Sequence, residues 1–158
     1  MEEVNVGIVG LGNVGTGTLS ILAENSHQIA LKLGYRLNVV AVCSRSVHSK
    51  QLPAGLEPVL KTTDWREVVA HPDVQIVAEL VGGTTVAADI VNAAIENRKS
   101  VVTANKELMA DCGPEIWDRA IRAGINLAME ASVCGGIPIH AVFAKASRAT
   151  ASWRSTVF

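Results

Sequence analysis

Val4-Asn5-Val6-Gly7-Ile8-Val9-Gly10-Leu11-Gly12-Asn13-Val14-Gly15 opens as a short apolar run of strand composition and breaks into the pattern G-x-G-x-x-G. From Val14 to about Leu33 the apolar residues Leu19, Leu22, Ala23, Ile29, Ala30 and Leu33 then recur at roughly helical spacing. Strand, glycine turn and helix in that order are the context in which the glycines carry a mechanism. Gly10 permits the tight turn, Gly12 removes a side chain that would block a pyrophosphate, and Gly15 lets helix and strand approach closely. The helix start, with Asn13 and Val14 beside the glycines, presents free backbone N–H groups and the positive end of the helix dipole to a diphosphate. Gly10, Gly12, Asn13, Val14 and Gly15 are therefore the expected diphosphate cradle.

Outward from this turn, short β-branched runs alternate with longer amphipathic segments, which predicts an α/β fold, a doubly wound, mostly parallel Rossmann-type sheet. Leu37–Val42 reads as the second strand, followed by a polar stretch over 44–50 and a loop carrying Pro53, Gly55 and Pro58. Asp64 caps a short helix through Ala70. Val74–Leu80 is a third strand ending at Gly82-Gly83, Val86–Asn97 an Ala-rich helix, and Ser100–Thr103 a fourth strand. Pro114 and Gly124 bracket a helix over Glu115–Ala123, and Ile125–Met129 is the fifth strand.

The 158 residues have the size of one domain, and 49% hydrophobic with 18% charged residues argues against long disorder. Fourteen basic against fifteen acidic residues give a net charge of −1, so no overall positive field gathers a nucleic acid. Cys43, Cys112 and Cys134 are odd in number and widely spaced, and read as reduced thiols of a cytoplasmic protein. The acidic start MEEVNVGIVG is neither a signal peptide nor a membrane span. His27, His48, His71 and His140 are scattered, without the spacing of a tetrahedral metal site.

An acidic residue at the end of the second strand would accept from a free ribose 2′-hydroxyl. Cys43-Ser44-Arg45-Ser46 stands there instead. The Arg45 guanidinium suits a 2′-phosphate and can stack on adenine, so NADP(H) is expected over NAD(H). The alternative for Arg45 is a solvated loop cation.

Three further segments, Ala78-Glu79-Leu80-Val81-Gly82-Gly83, Val101-Val102-Thr103-Ala104-Asn105-Lys106-Glu107-Leu108 and Glu130-Ala131-Ser132-Val133-Cys134-Gly135-Gly136-Ile137-Pro138-Ile139, follow the glycine turn. Together with it they resemble homoserine dehydrogenase, over residues 1 to about 142. The resemblance implies interconversion of L-homoserine and L-aspartate 4-semialdehyde with a nicotinamide cofactor, on the route to threonine, isoleucine and methionine, in a homo-oligomeric enzyme. It places Lys106 near the cofactor and the reacting centre, with Thr103 beside it. Thr103 ends the fourth strand and Lys106 follows it, at the edge where ligands sit in such sheets, and both are expected to bind the cofactor. Asn105 either lines that site or caps the helix that starts at Lys106. The resemblance also implies a sodium loop of backbone carbonyls from Glu130, Val133, Gly135 and Ile137, hard oxygens suited to such an ion. A Gly-Gly-Ile-Pro hinge is the alternative. Glu79 either touches the ribose or nicotinamide side or hydrogen-bonds neighbouring backbone at the sheet end. Aspartate dehydrogenase is a rival that TANKELMA and EASVCGGIPI disfavour, and a non-catalytic nucleotide-binding module is another.

After Ala141-Val142 the chain reads FAKASRATASWRSTVF. One set of codons for these sixteen residues, read from its third nucleotide, gives REGIAGDRIVALYGI, which closely resembles the family's continuation. The expectation is a dinucleotide-binding domain over 1–142 and an out-of-frame tail over 143–158. The family's substrate-binding acids and its catalytic lysine beyond that point have no counterpart here, so no general acid is assigned. Lys106 is the one catalytic candidate, and negligible turnover and an exposed apolar face are expected of this chain alone.

Overall fold

The computed structural model describes residues 1–58 and 60–133. The expected boundary at residue 142, the tail 143–158, and Cys134, Gly135, Ile137 and His140 lie outside the described residues. Six strands, β1 (Glu2–Val9), β2 (Tyr35–Cys43), β3 (Leu60–Thr62), β4 (Ile76–Glu79), β5 (Ser100–Thr103) and β6 (Leu127–Ala128), form one sheet in the order β3-β2-β1-β4-β5-β6. Every pairing is parallel, with Ile8 opposite Val42 on one side of β1 and opposite Ala78 on the other. Consecutive strands run outward from β1 in one direction and then, from β4, in the other. The order therefore reverses between β1 and β4, the place where a crevice opens outside the strand ends.

The helices are α1 (Asn13–Glu24), α2 (Ser26–Leu33), α3 (Trp65–Ala70), α4 (Thr85–Glu96) and α5 (Lys106–Ala123). Parallel strands buried on both faces need apolar residues in unbroken runs, and β1 supplies them. Val6 and Ile8 join Leu19 of α1 and Val39 and Val42 of β2 in one core cluster. Val9 points the other way, into a second cluster built from Val68 of α3, Ile90 and Ala94 of α4 and Leu108 and Ile116 of α5. Gly7 lies under α3, and a Cβ there would come 2.5 Å from Val68 Cγ1, so the bare strand lets that helix settle.

Three features depart from the expected elements. The segment Val14–Leu33 is two helices, because Asn25 leaves helical geometry (φ −113°, ψ 14°) and its Nδ2 donates to the Ile21 carbonyl at 3.2 Å. An Asn side chain that serves nearby backbone offers the chain an alternative to the next helical turn. The edge strand β3 was absent from the expected elements, since three residues are too few to show a period. β6 keeps only two of the five expected residues, pairing Leu127 with Val101 and Ala128 with Val102. The expected helix starts at Lys106 and near Pro114 both hold. They are joined across a kink at Cys112 (φ −133°), and Gly124 closes the second piece in left-handed geometry at φ 68°. No helix among the described residues is long and apolar enough to cross a membrane.

Candidate functional site

The loops that follow β1, β2, β4 and β5 share the carboxyl edge of the sheet. At the first of them Gly10 takes φ 104°, its N–H donates to the Cys43 carbonyl at 2.9 Å, and a Cβ on it would lie 2.5 Å from the Leu80 backbone. Leu80 N–H in turn donates to the Val9 carbonyl at 2.8 Å, so the β1 and β4 loops are in direct contact at the crevice. Leu11 is buried as the anchor of the turn, and the Thr16 hydroxyl donates to its carbonyl at 3.3 Å. Gly12, Asn13 and Val14 are exposed above it.

Gly12 is the N-cap of α1 and has no side chain with which to cap, and the first turn of the helix holds no acidic residue. The N–H groups of Asn13, Val14 and Gly15 therefore have no helical acceptor and no local anion. A Cβ on Gly12 would meet nothing within 4 Å, so its absence serves no contact inside the protein. A space beside uncapped amides that a side chain would fill is the geometry of a phosphate cradle.

Past β2, Val47 is buried and pins a short turn that leaves Arg45 exposed, two residues beyond Cys43. Ser44 N–H donates to the Thr62 carbonyl at 3.2 Å, which ties this turn to the edge strand β3. None of the ion pairs among the described residues engages Arg45. His48 is exposed on the same turn and Lys50 half-buried after it. Cys43 itself is buried, and burial, reinforced by Asp64 and Glu67, pushes its thiol up to about 11. It is a packing residue.

At the ends of β4 and β5 the buried polar groups are joined in one network. Glu79 is 0% exposed. Its Oε1 accepts from Val81 N–H at 2.9 Å and Gly82 N–H at 3.4 Å, and its Oε2 accepts from the Thr103 hydroxyl at 2.6 Å. Of the two alternatives for Glu79, bonding within the sheet end is therefore the one realised. Thr103 is fully buried, and its Oγ1 also accepts from Asn105 N–H at 3.1 Å. Asn105 caps α5 through its Oδ1, which accepts from Leu108 N–H at 3.1 Å, and its Nδ2 donates to the Gly83 carbonyl at 2.6 Å. Lys106, the first residue of α5, is exposed immediately above.

Glu130 begins a short turn through Ser132, and its carbonyl accepts from Val133 N–H at 3.1 Å. The buried Ser132 hydroxyl donates to the Thr103 carbonyl at 2.8 Å, a tie that sequence reasoning missed because Ser132 carries no spacing signal. Gly135 and Ile137, the other two expected carbonyl ligands, are outside the described residues. A cavity of about 640 Å³ lies far from these loops, between α1, α2 and the first half of β2, lined by Leu22, Ala30, Arg36 and Val39. A smaller one of about 80 Å³ sits beside the glycine turn, between Leu11, Thr16 and Leu19 and the 50–53 segment. Neither defines the site. The bare amides at the start of α1 are the candidate.

The family model described as the NAD binding domain of homoserine dehydrogenase matches residues 10–130. A homoserine dehydrogenase of Pseudomonas aeruginosa is 43% identical over 139 residues, covering 88% of this chain and 31% of that protein. One from Neisseria gonorrhoeae is 41% identical, with 88% and 32% covered. The crystal structure of a homoserine dehydrogenase from Thiobacillus denitrificans superposes with a TM-score of 0.80 at 43% identity, covering 88% of this chain and 32% of that one. The chain spans about a third of the length of these relatives.

Proposed function

The chain belongs to the family of homoserine dehydrogenase NAD-binding domains, and from that premise we propose that it binds NADP(H) in preference to NAD(H) across the carboxyl edge of its sheet. In this reading it is the cofactor-binding part of a cytoplasmic, homo-oligomeric oxidoreductase. That enzyme interconverts L-homoserine and L-aspartate 4-semialdehyde.

The observation that carries the reading is the open space at the Gly12 Cβ position beside the uncapped amides of α1. Bound there, a nicotinamide dinucleotide would supply the hydride acceptor or donor for the alcohol–aldehyde pair. The chain's own residues bind and orient. Gly10, Gly12, Asn13, Val14 and Gly15 hold the diphosphate. Arg45, exposed and without an ion-pair partner among the described residues, meets the 2′-phosphate. Thr103 supports the β5 turn from beneath, and Lys106 stands over it, where its ammonium can hold a ribose hydroxyl, a phosphate or a substrate oxygen. Carbonyls of Glu130, Val133, Gly135 and Ile137 are the proposed sodium ligands.

Titration of the folded chain with NADPH, followed by calorimetry and by nicotinamide fluorescence, tests the proposal. Saturable binding at a stoichiometry of about one is the expected outcome for a single dinucleotide crevice. Absence of any uptake by well-folded protein at millimolar NADPH would overturn it.

A further inference from the structure

We propose that Glu79 is a positioning residue for the half of the dinucleotide site that lies over β4 and β5. It sets the loops there from beneath without touching the ligand. The inference rests on the dinucleotide reading above and adds a residue to which that reading gives no role.

The sheet divides at the β1–β4 crevice, and a dinucleotide laid across it has its adenosine half over β1 and β2 and its nicotinamide half over β4 and β5. On the adenosine side, shape is set by close backbone approach at Gly10 and Gly15 and by the buried Leu11, whose carbonyl accepts from the Thr16 hydroxyl. On the other side the β4 loop meets the Gly10 backbone at Leu80 and Val81, but the turn beyond them has no such close contact. Gly82 and Gly83 both take left-handed geometry, at φ 76° and 71°, and a Cβ on either would meet nothing within 4 Å. Two successive glycines in open space are a segment with many accessible conformations, and something must select one.

Glu79 makes the selection. One of its oxygens takes the Val81 and Gly82 amides and so fixes the entry to the turn. The other takes the Thr103 hydroxyl, which holds the Asn105 amide, and the Asn105 side chain closes the circuit on the Gly83 carbonyl. The same Asn105 caps α5 and therefore sets where Lys106 leaves the sheet edge. A single fully buried acid thus ties the exit of β4, the exit of β5 and the start of α5 into one rigid piece. With both oxygens engaged inside the protein and no exposed surface, Glu79 does not reach a ligand directly. Buried polar networks of this kind hold one arrangement when every member is satisfied and lose it when one is not.

Glu79→Gln keeps the volume but replaces one acceptor with a donor, so either the Thr103 hydroxyl or the Val81 and Gly82 amides lose their acceptor. Thr103→Val removes the hydroxyl at constant shape, and Thr103→Ser restores it. Two readouts are taken on the full chain. In the first, amide hydrogen exchange without ligand, Glu79→Gln and Thr103→Val are expected to lose protection at Val81, Gly82 and Leu108 but not at Gly10 or Thr16, with Thr103→Ser resembling the parent. In the second, NADPH affinity is expected to fall about tenfold in both variants, while adenosine 2′,5′-bisphosphate, which has no nicotinamide half, binds within about twofold of the parent.

Unchanged exchange at Val81 and Gly82 would overturn the inference. So would an equal loss for NADPH and the bisphosphate, which is the mark of a general structural brace. A parent chain that binds the bisphosphate or exchanges as expected but never takes up NADPH would instead overturn the dinucleotide reading, and with it the ligand that Glu79 serves.

Discussion

A Cβ built on Gly15 would stand 1.9 Å from the carbonyl oxygen of Gly10, whereas one built on Gly12, in the same six-residue turn, would touch nothing. The first glycine is demanded by the protein's own packing; the second meets no atom of the protein and, on the proposed reading, leaves room for a diphosphate. The two substitutions should therefore separate. Gly15→Ala is expected to cost about 3 kcal/mol or more, because backbone on both sides of the contact must move. Gly12→Ala should cost under about 1 kcal/mol, the difference between Gly and Ala as an N-cap, and weaken NADPH binding by at least about tenfold, as a methyl group intrudes on the diphosphate. If Gly12→Ala binds NADPH like the parent, the open position is incidental.

This separation also marks how far the sequence was legible. The G-x-G-x-x-G turn, its strand and its helix could be read because each glycine sits where a periodic pattern changes from strand to helix. The Asp64 cap and the Gly124 terminus were readable for the same reason, since their chemistry is local, while the Asn105 cap was one of two alternatives. What was not readable depends on residues distant in the chain. Glu79 and Thr103 are 24 apart, and Ser132 and Thr103 are 29 apart, so nothing in their neighbourhood announces either bond. The three-residue β3 is held only by its pairing with Ala41, Val42 and Cys43 and has no internal signal. The break at Asn25 lay inside a stretch whose apolar spacing stays helical on both sides.

Arg45 offers a test of cofactor choice that leaves the fold alone, because the side chain is exposed on a turn pinned by the buried Val47. Arg45→Ala is expected to weaken NADPH by about 1.5–3 kcal/mol, the range for hydrogen bonds to a charged group, or roughly 10- to 150-fold. NADH, which has no 2′-phosphate, should change by less than about twofold. Parallel titrations decide it, and an equal loss for both cofactors would remove Arg45 from the 2′-phosphate site.

Cys43 gives the protein a weakness at alkaline pH. Its thiol is raised from an ordinary 9.0 to about 11, chiefly by burial and then by Asp64 and Glu67. Between those values the unfolded chain sheds the thiol proton while the folded chain keeps it, so unfolding releases a proton and stability falls as pH rises. The loss begins near pH 9, levels off just above pH 11, and amounts to about 3 kcal/mol. Cys43→Ala removes the titrating group, and the difference in unfolding free energy between parent and variant should shrink by that amount across the window. A difference constant from pH 8 to 11 would contradict the burial argument. Below pH 8 Cys43 should also resist thiol reagents in the folded protein, because the thiolate is the reactive form.

Lys99 separates stability from binding at the opposite edge of the sheet. It is 8% exposed just before β5, and its Nζ donates to the carbonyls of His71 at 2.7 Å and Val74 at 2.6 Å, bracing the turn between α3 and β4. Burial holds its ammonium below the usual lysine range, with Asp73 opposing the shift. Lys99→Met keeps most of the aliphatic stem and strips the buried Val74 carbonyl of this donor, whereas the His71 carbonyl keeps the Val74 N–H at 3.2 Å. The expected cost is about 1–3 kcal/mol, the penalty for leaving a buried acceptor unpaired. The braced turn feeds the amino end of β4, whereas the dinucleotide loops leave its carboxyl end beyond the Ile76–Glu79 pairing with β1 and β5. NADPH affinity measured well below the melting temperature should therefore stay within about twofold of the parent. A loss of affinity that tracks the loss of stability would mean that the two ends of β4 do not behave as independent sites.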